Sequence, residues 1–204
     1  MEGVGWRIKP RNILNGYLMT NFIFTQTKLK GLYLIAPKPK TDGRGYFERL
    51  YCIEEFKGLR LQKPINNINR SFTKQKGTIR GLHFQYPPFQ EIKIIICLKG
   101  SVYDVSVDIR KDSPTFLQWH GETLTEKSEK MIIVPEGFAH GFQTLEDNVD
   151  FMYFNTSPYS KENESGLNYN DPALNISWPL KTTEISEKDK NHRFISTDFK
   201  GIDL

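Results

Sequence analysis

Apolar residues along this chain come in short runs or in strict alternation, and rarely at helical spacing. Tyr103, Val105, Val107 and Ile109 alternate with Asp104, Ser106 and Asp108, the period of a strand that buries one face. The pattern predicts strands over residues 32–36, 46–53, 79–85, 93–98, 101–109, 116–124, 130–134 and 149–156. Lys99-Gly100-Ser101 reads as a tight hairpin connection between two of them. The best helix candidate is short, over residues 54–61. Strands this brief and closely spaced predict an all-β fold, a double-sheet jelly roll or similar barrel with few short helices.

Composition narrows the function classes. With 38% hydrophobic and 13% aromatic residues in 204, the chain can bury a real core, which rules out intrinsic disorder for most of it. Lys and Arg number 28 against 24 Asp and Glu, a balance of +4. The charges are interleaved, which argues against a nucleic-acid partner and suits a small phosphate-bearing ligand. Apolar runs such as residues 94–98 are too short to cross a bilayer. Cys52 and Cys97, with no CxxC, fit a reducing cytoplasm. Residues 1–20 are poorly patterned and read as an N-terminal extension. Residues 21–180 read as one domain, and polar 181–204 as a tail packed on it.

The chemistry begins with four histidines, His83, His120, His140 and His192. Two sit in glycine-framed contexts, Arg80-Gly81-Leu82-His83-Phe84-Gln85 and Pro135-Glu136-Gly137-Phe138-Ala139-His140. The second resembles the P-x-G-x-x-H signature of cupin barrels. Metal cupins carry H-x-H in the first signature. Here the stretch is His83-Phe84-Gln85, which leaves too few ligands for a firm metal site.

The segment Gly77-Thr78-Ile79-Arg80-Gly81-Leu82-His83-Phe84-Gln85-Tyr86-Pro87-Pro88 resembles the dTDP-4-dehydrorhamnose 3,5-epimerases and related nucleotide-sugar epimerases. So do Asp42-Gly43-Arg44-Gly45-Tyr46-Phe47-Glu48, Val105-Ser106-Val107-Asp108-Ile109-Arg110, Ser113-Pro114-Thr115, residues 135–142, Tyr159 and Asn170-Asp171-Pro172. The resemblance runs in order from about Lys30 to Leu180 and into Ser186-Glu187-Lys188-Asp189. It implies inversion of stereocentres beside the ketone of a dTDP-linked 4-keto-6-deoxyhexose. That chemistry needs a base on one face of the sugar, an acid on the other and a donor for the enolate oxygen.

The resemblance makes His83 the base, since imidazole is one of the few side chains that titrates near neutrality. It makes Asp171 its orienting partner, although Asp-Pro is also an ordinary turn. Tyr153 becomes the opposite-face acid, a phenol protonated at working pH, against the bland reading of a core aromatic. Lys93, followed by Ile94, Ile95, Ile96 and Cys97, becomes the enolate stabiliser, against that of a lysine reaching out to water. Arg80 and Arg44 suit the diphosphate, and the two faces of Arg80 and His83 agree only if Gly81 permits a bulge. Phe47 and Glu48 are expected on the nucleobase, often across a dimer contact. Asn67, Asn69, Gln85, His140 and Tyr159 are expected on substrate. Phe154 stands where many relatives have lysine or glutamine, and Asn67 where many have glutamine.

No redox change is involved and no Gly-rich dinucleotide or zinc motif occurs, so no cofactor is expected. A homodimer with exchanged N-terminal strands is implied by the resemblance alone. Three rivals stand beside this reading: epimerisation at C3 or C5 only, a metal-dependent cupin oxygenase using His83, His140 and Glu91 or Gln85, and a non-catalytic sugar-nucleotide binder.

Overall fold

In the computed structural model, which describes residues 21–59, 63–128 and 130–204, Gly100 takes φ +79° and passes the chain from one sheet to another. The strand before it, β7 (Lys93–Lys99), pairs with β10 (Met131–Val134) and β12 (Val149–Asn155). The strand after it, β8 (Ser101–Asp108), pairs with β9 (Trp119–Thr125) and β11 (Phe138–Thr144). The expected hairpin is therefore a corner between sheets.

The first sheet runs β1 (Phe22–Gln26), β2 (Tyr33–Pro37), β10, β7, β12 and β5 (Asn67–Thr73). The second runs β13 (Glu164–Gly166), β6 (Thr78–Gln85), β11, β8 and β9, and β14 (Glu184–Ile185) joins β6 in parallel. A separate hairpin pairs β3 (Lys40–Asp42) with β4 (Gly45–Phe47). The two large antiparallel sheets face each other as a jelly roll, as the strand spacing predicts.

The continuous apolar runs have a packing reason. Ile95, Cys97, Ile132 and Phe151 of the first sheet meet Val102, Leu124, Phe138 and Phe142 of the second between the layers. The alternate residues Ile94, Ile96, Met131, Ile133 and Phe154 pack on the outer side with Phe22, Phe24 and Phe56. Burial on both faces removes the polar half of the alternation. Each such side chain contributes about 1.5–3 kcal/mol by leaving water.

The single helical turn α1 (Ile53–Phe56) presents Phe56, edge-on to Phe22 at 5.0 Å and Phe24 at 5.4 Å. It continues only as a 3-10 turn over Lys57–Leu59, so the predicted helix is shorter than its pattern, and positions 60 and 61 lie outside the described residues. Two predicted strands are also trimmed. The one over 46–53 survives only to Phe47, and the one over 116–124 starts at Trp119 because Leu117 turns at φ +60°. The expected extension over 1–20 lies outside the described residues.

Beyond Leu180 the chain is structural. Ile195, Phe199 and Ile202 cover the outer face of the second sheet against Val105, Val107 and Ile109. Then β14 and the turn α2 (Glu187–Lys190) lie along β6.

Candidate active site

A cavity of about 970 Å³ opens between the sheets at the end where β6, β11, β7, β12 and β5 meet α2. The strand period decides what lines it. On β5 the residues Asn67, Asn69, Ser71 and Thr73 line it, with half-exposed Phe72 at its margin, whereas Ile68 is exposed outside. On β12 Tyr153 and Asn155 face inward, and Phe154 lies in the outer cluster.

On β6, Arg80 and His83 both reach the cavity, which an unbroken strand forbids. The register with β11 shifts between His140 and Phe142, and Gly81 sits there at φ +118°. A Cβ on Gly81 would stand 2.5 Å from the Gly141 Cα and 2.7 Å from the His140 carbonyl oxygen. Only glycine fits that backbone, so the bulge required by the sequence reading is present.

His83 places Nε2 2.7 Å from Oδ1 of Asp189. The other Asp189 oxygen accepts the Gly81 backbone N–H at 3.0 Å. Burial pushes the Asp189 carboxyl up, but the His83 and Gly81 hydrogen bonds outweigh it and hold the group below the usual carboxylate range. This corrects the expectation for Asp171. That residue is buried and lies away from the cavity; its Oδ1 accepts from Ala173 N at 2.8 Å and its Oδ2 from Ile195 N at 2.6 Å. It caps a turn and ties down the tail. Asp189 was legible as Ser-x-x-Asp, a helix-start signature. Ser186 caps α2 by accepting the Asp189 backbone N–H at 3.1 Å, which sets the carboxylate beside β6.

Tyr153 comes from the opposite sheet, with its hydroxyl 3.4 Å from Ser71 Oγ and its ring edge-on to His140 at 6.4 Å. Desolvation raises its phenol pKa above the usual value. Lys93 begins β7 with Nζ 3.3 Å from Glu91 Oε1. Asn155, beside Lys93 in register, donates to Glu91 Oε2 at 2.6 Å. The side-chain oxygens of Asn67 and Asn155 are buried with no hydrogen-bond partner among the described residues.

His140 is paired in register with His83 but is buried, and its Nε2 lies 2.7 Å from Asp104 Oδ2. The residues of the cupin metal set are therefore engaged elsewhere, with His140 on Asp104 and Glu91 on Lys93 and Asn155. Gln85 is not free for sugar. Its Nε2 donates to the Phe89 and Pro158 carbonyls, and its Oε1 accepts from Ser160 N at 2.6 Å. It pins two loops at the rim, where Tyr159 donates to Glu164 Oε2 at 2.9 Å.

Arg80 anchors Nε on Thr73 Oγ1 at 3.0 Å, leaving its terminal NH groups without a partner among the described residues. Lys74, Lys93 and Lys188 add positive charge to the same cavity. Arg44, Phe47 and Glu48 lie apart from it. Arg44 is paired with Asp42 at 2.6 Å on the β3–β4 hairpin, and Phe47 there is 67% exposed.

Residues 26–197 match the family model for dTDP-4-dehydrorhamnose 3,5-epimerase. The dTDP-4-dehydrorhamnose 3,5-epimerase of Shigella flexneri is 37% identical over 178 residues, 85% of this chain and 97% of that protein. Among solved structures, the Legionella pneumophila dTDP-6-deoxy-D-glucose-3,5-epimerase in complex with dTDP-4-keto-L-rhamnose is 36% identical. It superposes with TM-score 0.81 over 85% of this chain and 92% of its own. The Bacillus anthracis enzyme with TDP and PPi bound is 37% identical, with TM-score 0.82 over 85% of this chain and 99% of its own. The chain belongs to the dTDP-4-dehydrorhamnose 3,5-epimerase family.

Proposed function

We propose that this enzyme inverts C3 and C5 of dTDP-4-dehydro-6-deoxy-D-glucose, giving dTDP-4-dehydro-L-rhamnose, with His83 as base and Tyr153 as acid. One observation carries the assignment of roles: His83 and Tyr153 stand on facing sheets across one cavity. A sugar ring between them meets a base on one face and a proton donor on the other, which inversion requires.

Asp189 accepts the Nε2 proton of His83 and keeps Nδ1 as the free base. Nδ1 removes the proton next to the C4 ketone, and the electron pair moves onto the ketone oxygen. Lys93 stabilises that enolate charge from the start of β7. Tyr153, a phenol protonated at neutral pH whose pKa burial raises further, returns a proton from the other face. The buried carbonyl oxygens of Asn67 and Asn155 suit sugar hydroxyl donors. The open guanidinium of Arg80 suits the diphosphate.

The same proposal extends to a cytoplasmic homodimer. The β3–β4 hairpin is exposed throughout, with Tyr46 and Phe47 bare, and none of its residues lines the cavity that holds His83. The edge strand β5 of the first sheet exposes Ile68 and Phe72. A partner subunit covering these surfaces places Arg44, Phe47 and Glu48 at a neighbouring cavity, where the nucleobase lies. Both cysteines are free, as in a reducing compartment, and no helix among the described residues is long and apolar enough to cross a membrane.

The test is turnover of dTDP-4-dehydro-6-deoxy-D-glucose in D2O, read by NMR at each carbon. Deuterium at both C3 and C5 is expected. Label at one carbon makes the enzyme a mono-epimerase, and label at neither overturns the reading.

A further inference from the structure

We propose that His83, Asp189 and His192 form a site at which a divalent transition-metal ion such as Zn2+ binds and switches the epimerase off. The inference rests on His83 as the base, but the residues that carry it include one the reaction does not use. His192 follows α2, and its ring fills the space above Gly166. A Cβ on Gly166 would lie 2.3 Å from His192 Nε2, and Gly166 pairs in register with His83 on β6. A glycine opposite the base thus makes room for a second imidazole beside it.

The His192 Nε2 is buried and has no hydrogen-bond partner among the described residues. It lies 3.8 Å from Asp189 Oδ1, and the two histidine rings are 5.8 Å apart, near perpendicular. One donor atom from each of the three residues lies within 4.8 Å of the others. A tetrahedral zinc ion with bonds near 2.0–2.1 Å spaces its ligands about 3.3 Å apart. The 2.7 Å and 3.8 Å separations bracket that value. Two imidazoles and one carboxylate, with His83 and Asp189 lining the cavity, are a zinc donor set.

The consequence for catalysis follows from the tautomer. In the active dyad the proton sits on Nε2, directed at Asp189, and the Nδ1 lone pair is the base. A metal ion takes the Nε2 lone pair, so the ring's single N–H moves to Nδ1. The imidazole stays neutral and no proton is gained or lost, but Nδ1 now carries a hydrogen and cannot accept another. Asp189 exchanges a hydrogen bond for a metal bond through Oδ1, while Oδ2 stays on Gly81 N.

The full-length protein, freed of metal with a chelator and then dialysed, is titrated with Co2+ and followed by visible absorption. Its epimerase activity is measured under buffered free Zn2+. Expected are a saturable Co2+ spectrum and zinc inhibition reversed by EDTA. His192→Asn and His192→Phe, the second keeping a ring over Gly166, should retain zinc-free turnover and lose the Co2+ spectrum. Both should raise the inhibitory Zn2+ concentration by at least about tenfold. No Co2+ absorption, Co2+ binding without zinc inhibition, or equal inhibition of wild type and variants overturns the proposal. If the zinc-free wild type has no epimerase activity, the functional reading fails, and the Co2+ titration still decides the site.

Discussion

The imidazole of His83 and the carboxylate of Asp189 meet at 2.7 Å across 106 residues of chain, joining β6 of the barrel to the turn that follows β14. The capping of α2 by Ser186 and the Gly81 N–H fix the carboxylate before any substrate arrives. Preorganisation of this kind holds one tautomer of the base and orients its ring.

Asp189→Asn should therefore lower kcat by about 10²–10⁴-fold with little change in KM. Asp171→Asn is the contrasting variant. It weakens hydrogen bonds from Ala173 and Ile195, each worth about 0.5–1.5 kcal/mol, and should lower the melting temperature while leaving kcat near wild type. Steady-state kinetics and thermal unfolding of the pair check this. Greater loss of kcat in Asp171→Asn would return the orienting role to Asp171.

Tyr153 and His83 act at different moments, so their variants should separate in one experiment. Tyr153→Phe removes the returning proton but leaves abstraction to His83. In D2O, washout of the substrate proton should persist while formation of inverted product slows, by about 10²–10⁴-fold for a general acid. His83→Ala should stop both and leave dTDP binding nearly intact. NMR of exchange and product in the same tube reads the two rates. Equal loss of both in Tyr153→Phe would mean that the phenol is not the opposite-face acid.

Gly81→Ala tests the bulge. The added methyl meets the Gly141 Cα at 2.5 Å and the His140 carbonyl oxygen at 2.7 Å, at a φ of +118°. The backbone strain alone costs about 1–3 kcal/mol, and the clash adds to it. If β6 relaxes to regular alternation, Arg80 or His83 leaves the cavity. The variant should melt lower and lose activity even where it folds. Unchanged stability and turnover would show that β6 accommodates a side chain there.

Much of this arrangement is legible in residue pattern, because strand period, the glycine-framed histidine and Tyr153 are all local signals. The double-sheet fold follows from short strands. The bulge at Gly81 follows from Arg80 and His83 needing one cavity. What escapes is set by distance along the chain. Asp171 and Asp189 both stand near plausible turn motifs, and nothing local says which one lies beside His83. The answer comes from β14 pairing in parallel with β6, a contact between segments about 100 residues apart that no periodicity encodes. Gln85 misleads for a similar reason. It lies in the right motif, but the loops that return to the rim take both ends of its amide.

Asp108 gives the pH prediction, and it lies outside the cavity. Its buried carboxylate accepts from Arg110 Nε at 2.8 Å, Arg110 Nη2 at 2.7 Å, and the Ser113 and Thr115 hydroxyls, both at 2.6 Å. Burial pushes its pKa up, but these donors outweigh it and hold the carboxyl below the usual range. Because the folded pKa lies below the unfolded value near 3.9, the stabilisation is complete above about pH 4 and is lost as pH falls through the folded value. Asp108→Asn takes the carboxylate partner from the half-buried Arg110 guanidinium, which costs roughly 1–3 kcal/mol at neutral pH. Urea unfolding of wild type and variant from pH 7 to pH 3 should show a gap that narrows only in the acid range. A gap independent of pH would mean that the charge on Asp108 contributes nothing and that the loss is one of shape alone.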